Sequence, residues 1–200
     1  MFTHYSNPLF IISTIGILLL NNKKIGFLIL FCHILSNIII GIIFKNKEVK
    51  EYKKEDFEEV IKKINNKRKN IQSFIYVLTN SITKSFTILV QMLGIIMFFL
   101  IITTILKKII ILDPFSYSIL SGIIEMTQGI KNISNINTLN LRLKSSIIGF
   151  LISFSGISVH FQVKSIIEGT AIKYKKFFIA RIIHAILCFT LIYILFNLIT

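Results

Sequence analysis

Apolar residues run along this chain in long blocks parted by short polar breaks. A helix needs about 20 apolar residues to cross a hydrocarbon core of about 30 Å. Ile25–Phe44, Phe86–Leu106 and Phe177–Ile199 each reach that length. A further block follows Arg142 and Lys144 and runs to Val163. The apolar run Leu9–Leu20 has only twelve residues, which suits a half-helix or re-entrant segment. Pro8 fits the first turn of that helix, with Ser6 or Asn7 as its cap. The predicted fold is all-α: a polytopic integral membrane protein of about four full spans, plus one or two re-entrant or half-helix segments.

The polar breaks predict the connections. Asn21–Lys24 reads as a tight turn. Lys45–Asn70 holds ten Lys/Arg and six of the nine acids, with Val60, Ile61 and Ile64 at helical spacing. It reads as a charged helical connector on the cytoplasmic membrane surface, which sets the expected orientation. Ile71–Thr83, carrying Asn80, Ser81 and Thr83, reads as an interfacial helix leading into the next span. Within that span Gln91 is a candidate for a bond across helices. Lys107 and Lys108 close the span, and Asp113-Pro114 marks a turn or cap. Phe115–Ile130 reads as one short apolar helix, Asn132–Asn140 as a polar connector and Lys164–Lys176 as a basic one. His33 and Asn37 lie four apart on one helix face and are expected to hydrogen-bond a neighbouring helix. Arg181 lies near the start of the last span, where a long side chain is expected to snorkel to the interface.

Composition agrees with the membrane reading. The chain has 200 residues, 54% of them hydrophobic, and a mean hydropathy of +0.75. Its net charge of +14 sits mostly in the loops, as the positive-inside rule expects, so nucleic acid is not indicated as a partner. Only three alanines occur beside abundant Ile, Lys, Asn and Phe, a bias of AT-rich coding that inflates lysine. The start, MFTHYSNPLF, lacks the basic region and cleavage site of a signal peptide, so no cleavage is expected. Cys32 and Cys188 both fall in spans, without the spacing of a zinc or redox pair, and read as packing residues.

Chemistry concentrates in two pieces, Ser118–Ile130 and Ser145–Val163. Outside the charged connector the only acids are Asp113, Glu125 and Glu168. Glu125 alone falls inside a membrane segment, where a carboxylate costs roughly 2.5–3.5 kcal/mol on insertion scales. Thr127 and Gln128 flank it, as do Gly122 and Gly129, which let backbone approach a ligand closely. A carboxylate there can hold Na⁺ or H⁺, or bond a substrate hydroxyl or ring nitrogen; the plainer alternative is an interfacial glutamate. In the second piece Ser155, Ser158 and Gln162 recur at helical spacing, with Gly156 and His160 beside them. The candidate substrate- and ion-binding residues are thus Glu125, Thr127, Gln128, Ser155, Ser158, His160 and Gln162. No metal site is expected, because no second ligand stands at the right spacing. No catalytic motif is present, so the chain is not read as an enzyme. No cofactor is expected beyond a coupling Na⁺ or H⁺.

These strings carry a resemblance. SGIIEMTQGI, then GFLISFSGISVHFQVKSI, then KKFFIARIIHAIL resemble the second half of the YlbJ-type sporulation integral membrane proteins. The opening SNPLFIISTIGILL and the span with His33, Ser36 and Asn37 resemble that family's middle region. The family's proteins are longer, and the likeness covers nearly the whole chain except the charged connector. The resemblance implies a nucleoside-recognition (Gate) domain, similar to concentrative nucleoside transporters built from inverted repeats. Each such repeat has a re-entrant hairpin and a broken helix meeting at mid-membrane. Ser121–Gly129 would be the hairpin and Ser153–Gln162 the broken helix. Residues 1–44 would be the tail of a first membrane repeat, 45–70 its charged connector and 71–200 the second repeat. The implied function is transport of dipicolinic acid from mother cell toward forespore, from a cell membrane such as the outer forespore membrane. The alternatives are a nucleoside or nucleobase permease, and a non-transporting scaffold of the sporulation apparatus. The implied partners are a small-molecule anion or nucleoside-like substrate, membrane lipid, and a homodimer mate or separately encoded first half.

Overall fold

The computed structural model describes residues 5–45, 61, 73–168 and 174–198. Apart from Lys45 and Ile61, the charged connector 45–70 lies outside them. The chain divides into two compact units: Met1–Phe44 with Gly94–Thr200, and Lys45–Leu93. Eight helices follow one another among the described residues, and there is no strand. They are α1 (Phe10–Leu19), α2 (Lys23–Ile43), α3 (Phe74–Ile109), α4 (Pro114–Ile124), α5 (Met126–Ser134), α6 (Leu141–Phe154), α7 (Gly156–Ile167) and α8 (Tyr174–Leu195). A short 3₁₀ turn, Phe196–Leu198, follows α8. Among the described residues, four stretches are long and apolar enough to cross a membrane: Lys23–Ile43, Phe74–Ile109, Leu141–Ile167 and Tyr174–Leu198. The chain is an all-α polytopic membrane protein.

In the unit Lys45–Leu93 the described residues are Lys45, Ile61, Ser73 and the first part of α3, almost all of them exposed. The boundary expected near Thr83 is absent: Phe74 to Ile109 is one helix of 36 residues. No glycine or proline interrupts residues 73–93, so nothing stops the helix from propagating. Ser81, Thr83 and Thr87 return their hydroxyls to carbonyls four residues back, which satisfies them without a partner helix. Gln91 is exposed.

The other unit is built around α2, α6 and α8. Its core joins Ile25, Leu28, Ile29 and Cys32 of α2 to Ile147, Ile148, Leu151 and Ile152 of α6 and to Cys188 and Ile192 of α8. The buried α2 positions recur at three- and four-residue steps, the period of one helix face. Both cysteines are buried free thiols, as packing residues would be. Arg142 at the start of α6 donates to the Tyr193 carbonyl at 2.7 Å and stacks on that ring. Lys144 donates to the Ser134 carbonyl at 2.9 Å. The cations that open α6 thus tie it to α8 and α5.

α1 packs against α2 and differs from the others in its winding. It is a π-helix: the Leu20 N–H bonds the Ile15 carbonyl at 2.9 Å, five residues back. Such winding normally occurs as single turns. Asn7 accepts the Leu9 N–H at 2.9 Å, so Asn7 and Pro8 start the helix as expected. Asn22 caps α2 by accepting from Lys24 and Ile25, which makes Asn21–Lys24 the expected turn.

Candidate functional site

Two helix breaks define the site. The first divides the segment expected to be one helix. Asp113 caps α4 by accepting the Phe115 and Ser116 N–H groups, and Pro114 occupies its first position. Hydrogen bonds from Ser116 and Phe115 hold the Asp113 carboxyl below its ordinary range. At Glu125 the backbone turns extended, φ −139° and ψ 111°, and α5 begins. α4 and α5 fold back on each other. Asn132 of α5 donates to the Ser121 hydroxyl of α4 at 3.0 Å. A Cβ on Gly129 would stand 2.1 Å from the Gly122 Cα. The pair is therefore a hairpin with Glu125 at its tip, held by two glycines that face each other. Its first arm of 11 residues extends about 16 Å, roughly half the hydrocarbon thickness.

The second break divides the span Leu141–Ile167. Ser155 has φ 76° and Gly156 φ 69°, both left-handed. A non-glycine residue held there stores about 1–2 kcal/mol of strain. The two breaks touch. A Cβ on Gly156 would lie 3.0 Å from the Met126 nitrogen and 3.4 Å from the Gly122 and Ile124 carbonyl oxygens. Only a glycine gives both that conformation and that approach.

Each break exposes a helix N-terminus, where free N–H groups and the positive dipole end favour anions. The two ends differ. Glu125 closes α5: its carboxylate accepts the Thr127 hydroxyl and the Gln128 N–H at 2.9 Å. Glu125 is 1% exposed. It is thus the break itself and the cap of α5, rather than a residue on a helix face beside Gln128. No side chain caps α7, because the Ser155 hydroxyl turns back to the Ile152 carbonyl.

Ser155 forms the second break itself, and the other expected residues fall into three groups. Glu125, Thr127 and Gln128 gather at the hairpin tip, with Thr127 exposed and the Gln128 side-chain amide directed to Asn132. Ser158 and Gln162 lie four apart on one face of α7, Ser158 within its first turn. Ser158 is 0% exposed and Gln162 9%, yet the Ser158 Oγ and Gln162 Nε2 have no hydrogen-bond partner among the described residues. His160 turns away. Its Nε2 donates to the Phe154 carbonyl freed by the break, at 3.1 Å, and its Nδ1 meets the Tyr174 hydroxyl at 2.9 Å.

A second buried polar group joins α2, α6 and α8. His33 Nδ1 bonds the Ser153 hydroxyl at 2.9 Å, the cross-helix bond expected of it. His184 Nε2 donates to the His33 carbonyl at 3.0 Å, and Arg181 donates to His184 Nδ1. Arg181 is 2% exposed, so it does not snorkel to the interface. A partner three residues along the same helix holds it inside. Its signal in the sequence is the charge itself, placed within a span three residues from a histidine.

A cavity of about 820 Å³ opens at the base of the hairpin, lined by Lys107, Asp113, Tyr117, Asn132 and Asn135 among others. None of the candidate residues lines it. No group of three metal-ligating side chains forms among the described residues.

No family model matches the chain, and no solved structure matches it. The sporulation integral membrane protein YlbJ of Bacillus subtilis (strain 168) is 26% identical over 217 residues. That similarity covers 92% of this chain and 52% of YlbJ, so the chain spans about half the length of this curated relative. The resemblance to the YlbJ-type sporulation integral membrane proteins, first read from motifs around the two helix breaks, thus holds along most of the chain.

Proposed function

We propose that the chain is a membrane transporter, or half of one, that moves dipicolinic acid from mother cell to forespore during sporulation. The observation that carries this reading is the pair of orphan groups, Ser158 Oγ and Gln162 Nε2, next to the uncapped start of α7. A buried polar atom without a partner costs about 1–3 kcal/mol, so a solute that bonds it recovers that cost. A hydroxyl, an amide donor and free helix N–H groups suit carboxylate oxygens. Dipicolinate is a small planar dianion, and YlbJ is described as a sporulation protein. Glu125 at the neighbouring tip would repel a bare dianion, so a Na⁺ or H⁺ accompanies it. Access would alternate as the hairpin shifts against the broken helix, as in transporters built from membrane repeats.

Glu125 separates this reading from its competitors. Gln keeps one acceptor oxygen for the Thr127 and Gln128 bonds but loses the charge. Glu125→Gln is expected to leave thermal stability within a few degrees and lower dipicolinate flux into proteoliposomes at least about tenfold, from lost charge-assisted bonding. Glu125→Ala is expected to lose the cap as well, destabilising by about 1 kcal/mol. Flux of nucleosides in place of dipicolinate would favour a permease. No flux of either solute, with unchanged assembly of sporulation proteins around the chain, would favour a scaffold.

A further inference from the structure

Three histidines are buried among the described residues; each has both ring nitrogens engaged, and the chemistry of the partners fixes where its proton sits. A guanidinium only donates, so Arg181 requires a lone pair on His184 Nδ1. The His184 proton is then on Nε2, facing the His33 carbonyl at 3.0 Å. A backbone N–H also only donates, so Ser6, at 3.4 Å, requires a lone pair on His33 Nε2. The His33 proton is on Nδ1, facing the Ser153 hydroxyl at 2.9 Å. A second proton on either ring would set two donors face to face.

His160 is built differently. The Phe154 carbonyl only accepts, so Nε2 carries the proton. Nδ1 faces a hydroxyl, that of Tyr174, which can donate or accept. A second proton is therefore accommodated by rotating one O–H bond. Aromatic rings enclose the imidazole: the centroids of Phe154, Phe178, Phe177 and Tyr174 stand 5.0, 5.3, 5.6 and 6.1 Å away.

Among the described residues, Tyr174 of α8 bonds this ring and Arg181 of α8 acts on it through its charge, while Lys164 follows one turn further along α7. Arg181 stands 5.9 Å from the same Phe177 ring that His160 contacts. Its positive charge opposes a proton on His160. A solute anion nearby offsets that repulsion, and His160 reaches the second break through its bond to the Phe154 carbonyl, from the side of α7 opposite Ser158 and Gln162.

We propose that His160 is the binding site for the coupling proton. It takes one proton from solvent onto Nδ1 when an anionic solute occupies the junction of the two helix breaks, and returns it when the solute leaves. Tyr174 positions the proton by turning from donor to acceptor. Proton and anion each raise the affinity for the other by the same factor, as linkage demands. This inference rests on the transport reading and names its coupling ion.

The test is ¹⁵N NMR of the full chain in lipid nanodiscs with labelled histidine, each ring assigned through its His→Gln variant. Signals are followed from about pH 5 to 8, the window in which histidine ordinarily titrates, with and without dipicolinate. His160 is expected to titrate from its Nε2–H tautomer, with its midpoint raised by dipicolinate, while His33 and His184 stay neutral. Tyr174→Phe is expected to lower the proton affinity of His160 at least about tenfold, because the charged ring loses its acceptor. The proposal is overturned if His160 stays neutral across the window with dipicolinate present. It is equally overturned if dipicolinate leaves the midpoint unmoved, or if His33 or His184 titrates in its place. Flux into proteoliposomes separates the two ideas. A dipicolinate-linked midpoint without flux leaves the proton site standing and removes the transport reading. Flux with a permanently neutral His160 does the reverse.

Discussion

Gly129→Ala lowers the melting temperature of the purified chain by about 3–10 °C, the scale expected when an overpacked contact costs about 1–3 kcal/mol. The new methyl group would stand 2.1 Å from the Gly122 Cα and 2.5 Å from the Gly122 nitrogen. Those are backbone atoms, so no side chain can swing aside, and the two arms of the hairpin must part. The consequence reaches beyond stability. Gly122 also borders the Gly156 break through its carbonyl oxygen, so a splayed hairpin loses its fit to the broken helix. Gly94→Ala is the control. Nothing lies within 4 Å of the methyl group it would add, and alanine is the better helix former. Its melting temperature is expected to hold or to rise. Differential scanning fluorimetry of the two variants beside the parent reads the contrast directly.

The double variant Ser158→Ala, Gln162→Leu is expected to separate stability from activity. Removing an unsatisfied buried polar atom relieves a penalty of about 1–3 kcal/mol for each site. The chain should therefore melt about 4–20 °C higher, less whatever the altered packing takes back. Dipicolinate flux should fall by about tenfold to a hundredfold, since two hydrogen bonds to the solute are lost. A residue kept for packing behaves otherwise: its removal lowers stability and leaves transport of the surviving folded protein unchanged. Higher stability with lower flux marks groups held unsatisfied for a ligand, the trade found where activity needs a strained site. Melting and flux must be read on the same preparation, so that a change in folded fraction is not taken for a change in transport.

Much of this architecture is legible in the residues, because membrane chemistry simplifies the reading. Apolar blocks of span length place α2 and α8. Asp113 beside Pro114, and Asn7 beside Pro8, mark helix starts, since each pairs a side-chain acceptor with a ring that needs no donor. Glu125 stands out because a carboxylate at membrane depth is costly. The two glycines flanking it announce a close backbone approach, although they meet each other. Other features depend on distant partners. Periodicity alone placed Glu125 and Gln128 on one continuous helix, yet the helix ends at Glu125, where the backbone is extended and the side chain caps α5. The polar residues of 73–83 suggested a boundary in α3, but local hydroxyl-to-carbonyl bonds satisfy them within the helix. Arg181 was expected at the interface. Its burial depends on His184, whose orientation depends in turn on a carbonyl 151 residues away. No local pattern encodes such a separation.

The central claim is that the junction of the two helix breaks binds a solute through Ser158 and Gln162. Equilibrium binding of labelled dipicolinate to the purified chain, parent beside the Ser158→Ala, Gln162→Leu variant, tests it most directly. The account predicts saturable binding by the parent and a dissociation constant at least about tenfold weaker in the variant. Equal binding by the two proteins, or no saturable binding by a folded parent, would contradict it.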